Sequence, residues 1–283
     1  MSGPPFQPTS SQVPPPADAE SSPSMRGAPF RAVLGRELRA AGHSRQIRVF
    51  AALALAAGLA AVSFNEFAGS APFFFLQVAL HAVSLFSVLA GVGAALAEPE
   101  EWPFLFAQPG ARRALVPGKF LAVAAAFAVS LPFLFAPALF RGSSPAVLGG
   151  LYLQTLLLAA TGAAAGLVAG FYSRDRVRGF FAAVVLWIAA VFLYDFAALA
   201  TASWSPAREW PDLWIALLML NPLDAFRIQA LFSLEQIPPE SAGDRPLARW
   251  WVTHATAWFA VVSLMWTALL LAFAARRAGR MEI

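Results

Sequence analysis

Six apolar stretches set the terms for this chain: residues 49–64, 71–97, 120–140, 146–172, 179–202 and 250–275. A helix needs about 20 apolar residues to cross a hydrocarbon layer about 30 Å thick. In lipid only helices and closed barrels satisfy their own backbone polar groups. Five of the stretches are long enough outright. The first, at 16 residues, reaches only about 24 Å and is expected to run on past Asn65 and Glu66. Pro132 and Pro137 fall inside the third and should kink it, with the freed carbonyls satisfied by neighbouring helices. The fold class is therefore all-α, a polytopic membrane protein with six transmembrane helices. Composition agrees: 59% of residues are apolar and 13% charged, about half the charge of a soluble domain.

Outside the spans, residues 1–29 form a Pro- and Ser-rich tail that cannot bury enough surface to order itself. It lacks a charged region followed by an apolar one and is not expected to be a signal peptide. Residues 30–48 interleave Arg31, Arg36, Arg39, Arg45 and Arg48 with Phe30, Val33, Leu34, Leu38 and Ile47. Helical spacing of the apolar members points to an amphipathic interface helix in the headgroup plane. Residues 30–283 then make one transmembrane domain.

Counting cations orients it. One side carries Arg26, Arg31, Arg36, Arg39, Arg45, Arg48, Arg112, Arg113, Lys119, Arg174, Arg176, Arg178, Arg276, Arg277 and Arg280, fifteen in all. The other carries five: Arg141, Arg208, Arg227, Arg245 and Arg249. The positive-inside rule puts both termini in the cytoplasm of a cell whose inner membrane holds the chain. The cations sit in loops, so they speak to topology and not to nucleic acid.

Between the second and third spans, Glu98, Glu100 and Glu101 are followed by the apolar run 102–107, then by Arg112, Arg113 and Lys119. Two readings remain open: a surface segment with aromatic anchors Trp102 and Phe104 gripped by a soluble partner, or a plain solvated hairpin. The long outer loop, 203–249, carries Trp204, Trp210 and Trp214, with Trp250 and Trp251 just beyond it, as an interfacial aromatic belt. Within it a helical hairpin is expected, re-entrant or lying on the surface, with Asn221 as cap and Pro222 at the first helical position of the second arm. Asp224 and Arg227 share one face of that arm, and Phe226, Ala230 and Phe232 are expected to meet a partner or the membrane surface from the other.

Asp195, next to Tyr194, is the one carboxylate inside a span. Such groups are usually paired, here with Arg227, or they serve a substrate or proton. Gly162, Gly166 and Gly170, four apart, make a ridge for close helix packing or a dimer seam. Gly110 to Lys119 fails as a phosphate loop in both spacing and final residue. His43, His81 and His254 are scattered, Met219 and Met265 form no cluster, and cysteine is absent. No metal site, disulfide or thiol nucleophile is expected.

These residues carry a resemblance. Ala107-Gln108-Pro109, Arg112-Arg113 and Gly118-Lys119 resemble the cytoplasmic coupling segment of type-2 ABC transporter permeases. Residues 34–48 with Glu37-Leu38-Arg39 resemble their N-terminal interface helix, and Ser173-Arg174-Asp175-Arg176 their second inner loop. Leu193-Tyr194-Asp195 and the run from Leu220-Asn221-Pro222 through Leu223-Asp224-Ala225-Phe226-Arg227 are similar to permeases of nitrous-oxide-reductase maturation systems, which assemble copper sites. One departure stands at Glu98-Pro99-Glu100-Glu101-Trp102-Pro103, where the family has Gly-Thr after its Glu-rich turn.

The resemblance implies a homodimer, two ABC ATPase subunits that use ATP and Mg, and a periplasmic accessory protein of β-helical type. It implies no catalysis and no directly bound cofactor in this subunit. Trp102, Phe104, Gln108, Arg112, Arg113 and Lys119 would couple to the ATPase; Tyr194, Asp195, Asn221, Pro222, Asp224 and Arg227 would build and support the outer hairpin. A general exporter of a lipid, drug or peptide is the alternative within transport, and a membrane scaffold or enzyme the alternative outside it.

Overall fold

The computed structural model describes residues 28–63, 70–97, 111–173, 175–203, 216–233 and 246–280. The elements among the described residues are all helical: α1 (Ala28–His43), α2 (Arg45–Ser63), α3 (Ser70–Gln77, Val78–Val83 and Ser84–Ala95), α4 (Ala111–Ser130), α5 (Pro132–Phe140), α6 (Pro145–Tyr172), α7 (Arg176–Ile188, Ala189–Leu193 and Tyr194–Ser203), α8 (Pro222–Ser233) and α9 (Pro246–Gly279). The middle pieces of α3 and α7 are π-helical turns. Among the described residues, six segments are long and apolar enough to cross a membrane: Arg45–Ser63, Phe73–Ala95, Ala114–Phe140, Pro145–Tyr172, Arg176–Thr201 and Arg249–Gly279. The first begins at Arg45 and gains its length there; the expected continuation past Asn65 lies outside the described residues, as does the tail.

The third crossing is α4 followed by α5, broken at Leu131. Pro132 has no N–H to give the Ala128 carbonyl. Tyr152 of α6 fills that place, its hydroxyl donating to Ala128 at 3.0 Å.

Close packing is concentrated between α3 and α6. A Cβ on Gly162 would strike Ser87, on Gly166 the Val88 carbonyl, and on Gly170 Ala95; Gly91 of α3 lies equally tight against the Ala163 carbonyl. The glycine ridge is thus covered by the chain's own α3, which leaves no room for it to serve as a dimer seam. Across the other side of α6, Thr161 reaches Thr267 of α9 at 3.1 Å. Phe50 of α2 packs on Phe127 of α4 with centroids 4.8 Å apart.

Leu115, Phe171 and Ala278 share one cluster, so α4 begins where α6 and α9 end. Val33 of α1 lies against Gly118 at the same level. This is the basic end of the bundle. The α7 helix is its least embedded member: Gly179, Ala183 and Val191 are buried, while Phe181, Val185, Leu193 and Phe196 point outward.

Candidate functional site

At the end opposite the basic one, α8 folds back into the bundle mouth. Its start is fixed as the residue types dictate: the Asn221 Oδ1 accepts from the Leu223 N–H at 3.2 Å and Pro222 opens the helix. Leu223, Phe226 and Ala230 recur at helical spacing and are buried, Phe226 with its ring centroid 5.5 Å from Phe259 of α9. The expectation that Phe226 and Ala230 face a partner is therefore overturned. Their stripe is continuous with the bundle core, which offers apolar burial without any second protein. Phe232 is half-buried at the end of the helix.

The Asn221 side chain does more than cap. Its Nδ2 donates to the Ala190 carbonyl at 3.1 Å and to Asp224 Oδ2 at 2.6 Å. Ala190 lies in the π turn of α7, where the ordinary helical bonding pattern is interrupted. The Tyr194 hydroxyl donates to the Leu217 carbonyl. From α9, the Trp258 and Trp266 indoles donate to the Met219 and Leu220 carbonyls, each at 2.9 Å. Those two tryptophans escaped the sequence reading. Their signal was an indole deep in an apolar span, which calls for an acceptor.

Arg227 closes the arrangement. Its Nη1 lies 3.1 Å from Asp195 Oδ2 of α7 and 3.3 Å from Asp224 Oδ1 of its own helix. Asp224 is buried, and its carboxyl is pushed up to about 6, first by burial and then by the nearby Asp195 charge, with Arg227 and Asn221 pulling the other way. Below α8, a cavity of about 440 Å³ is walled by apolar side chains, with Trp187, Trp266, Leu158 and Gly162 among them. Trp187 also donates to Ser84 Oγ at 2.9 Å and stacks edge-on with Phe192, so both π turns meet around one aromatic group.

At the basic end, Arg112 and Arg113 occupy the first turn of α4, while Trp102, Phe104 and Gln108 lie outside the described residues. Lys119 is not on the surface. It is fully buried, with its Nζ 3.1 Å from Glu37 Oε2 of α1, and Glu37 also receives Arg36 at 3.0 Å. Helix α4 starts about two turns before Lys119 and carries it under α1. The α1 helix is therefore bound to the bundle by Val33 and Glu37, whatever its outward face touches.

Neither a protein-family model nor a curated protein matches this chain.

Among the described residues, no group of three His, Cys, Asp or Glu side chains could hold a metal ion. Ser84, Trp187, Ala190, Asp195, Asn221 and Arg227 join α3, α7 and α8 through directed polar contacts. These contacts tie α8 to α7 and α7 to α3.

Proposed function

We propose that this chain is the membrane-spanning subunit of an ABC-2 transporter, working as a homodimer with a separate ATPase and supporting nitrous oxide reductase maturation with a periplasmic β-helical partner. The observation that carries the reading is the clamp of α8 on α7 by Asp195 and Arg227. It lies in the two stretches whose sequence resembles the maturation-type permeases. The cation excess at the opposite end supports a cytoplasmic docking face, with the start of α4 and the segment before it as the coupling region. The subunit carries no nucleotide site of its own in this reading and performs no catalysis. Lys119 leaves the docking group and becomes the anchor of α1.

The apolar cavity under α8 favours a second reading, an exporter of an amphiphile. One experiment separates them. The tagged chain is purified in mild detergent from its native membranes. Recovery of an ATPase with vanadate-sensitive activity, together with a periplasmic β-helical protein, supports the maturation reading. An ATPase whose turnover rises with added amphiphile, without that protein, supports the exporter. Recovery of no ATPase overturns both.

A further inference from the structure

A second cavity, about 570 Å³, opens at the basic end between the α1–α2 elbow and helices α3, α4 and α7. Arg45 and Arg176, the first residues of α2 and α7, stand at it, and both are exposed. Neither has an ion-pair partner among the described residues, whereas Arg36, Arg178 and Arg227 each have one. Among the described residues, the lining carries three cations, Arg45, Lys119 and Arg176, against one carboxylate, that of Glu37. Lys119 and Arg36 already hold that carboxylate. Two guanidinium charges are left without an anion, and guanidinium suits phosphate because it gives two parallel hydrogen bonds. Behind them the walls are apolar: Ala90, Ala94, Ala122 and Val123. Such walls offer nothing to a small hydrated anion, and the volume is far more than a phosphate fills. In a chain of six spans, a cavity with cations at the end of the spans and alanines further in lies where a lipid headgroup meets its tails.

We propose that this cavity is a binding site for an anionic phospholipid, with its phosphate on Arg45 and Arg176 and an acyl chain along Ala90, Ala94 and Ala122. The bound lipid bridges the starts of α2 and α7. The site is independent of the permease reading, since it needs only the membrane and the cavity.

The test is the shift in unfolding midpoint of the detergent-purified chain on adding phosphatidylglycerol, phosphatidylcholine or inorganic phosphate. Phosphatidylglycerol is expected to raise the midpoint, and the other two to leave it unchanged. Arg45→Gln with Arg176→Gln should weaken the apparent phosphatidylglycerol affinity ~10-fold or more, from loss of two charge-assisted contacts. Arg45→Lys with Arg176→Lys should keep most of it. Arg276→Gln with Arg280→Gln, at the same end but outside the cavity, should keep all of it. Ala94→Phe, which fills the apolar part without changing charge, should also lose the effect. An equal response to phosphatidylcholine in the unaltered chain overturns the proposal whatever the variants do. A response to inorganic phosphate alone makes this a small-anion site and overturns the lipid. Equal loss in the Arg276 and Arg280 control, or full retention in Ala94→Phe, overturns it as well.

Discussion

Arg227 Nη1 sits 3.1 Å from Asp195 Oδ2, and that contact ties α8 to α7 at the end of the bundle away from the basic loops. The same nitrogen is 3.3 Å from Asp224 Oδ1. One cation serves two carboxylates, so the partners are not interchangeable. Arg227→Ala leaves two carboxylates facing each other, whereas Asp195→Asn leaves a balanced Asp224–Arg227 pair. Both Arg227 and Asp195 are partly exposed, which reduces the effect. Arg227→Ala is expected to cost roughly 1–2 kcal/mol in detergent unfolding, and Asp195→Asn much less. Adding Asp195→Asn to Arg227→Ala should recover part of the loss. Equal losses in the two single variants would show that Arg227 is not shared.

Asp224 makes the clamp sensitive to pH. Its carboxyl goes from an ordinary 3.8 to about 6, so the folded chain holds this proton more tightly than the unfolded one. The stability it contributes is present at low pH and is lost as pH rises from about 4 to about 6. Asp224→Asn is expected to flatten that part of the stability profile and to raise stability above pH 6. The difference between the unaltered chain and the variant, followed by unfolding midpoint across that range, checks the sign. A difference that grows as pH falls would contradict it.

Lys119 and Glu37 form a buried pair 82 positions apart in sequence. Removing one member of a buried pair costs about 3–5 kcal/mol, while removing both together is often far milder. Glu37→Gln and Lys119→Met are each expected to destabilise the chain strongly, and the double variant less than their sum. Protease cleavage within α1 should rise in both single variants, since that helix hangs on the pair. Additive losses would remove the pairing as the anchor.

Gly166 lies where a Cβ would strike the Val88 carbonyl of α3. Backbone cannot yield as a side-chain tip can, so Gly166→Ala should cost roughly 1–3 kcal/mol by overpacking. The oligomeric mass in light scattering should not change, because the ridge faces the chain's own helix. A drop in oligomer mass with unaltered stability would restore the dimer-seam reading.

Much of this was legible in the sequence, and the failures have physical reasons. The apolar runs gave six spans, because lipid allows little else for such runs. The freed Ala128 carbonyl before Pro132 and the start of α8 at Asn221-Pro222 follow from a missing N–H group and a capping oxygen; Leu131 itself keeps helical φ and ψ, so the expected kink is not what marks the site. A lone carboxylate in a span demands a partner, which pointed to Arg227. The orientation of α8 was not legible: the stripe of Leu223, Phe226 and Ala230 says that one face is buried, but not against what. Lys119 looked like a loop cation because the upstream start of α4 is hidden among residues of mixed character, and its partner Glu37 is remote in sequence. The π turns at Val78–Val83 and Ala189–Leu193 leave no mark on apolar periodicity, although they bring Trp187 and the Ala190 carbonyl to the site.

In the proposed permease, ATP-driven motion at the basic end reaches α8 through α7. The chain has no cysteine, so two spin labels can be placed at will. Ser143, exposed between α5 and α6, and Phe232, near the end of α8, report the position of α8 against the bundle. The measurement is the pulsed-EPR distance between them in the complex with the proposed ATPase, with and without ATP and vanadate. The expected result is a distance distribution that shifts on trapping and no longer shifts in Arg227→Ala. An identical distribution with and without trapped nucleotide in the unaltered chain would contradict the claim.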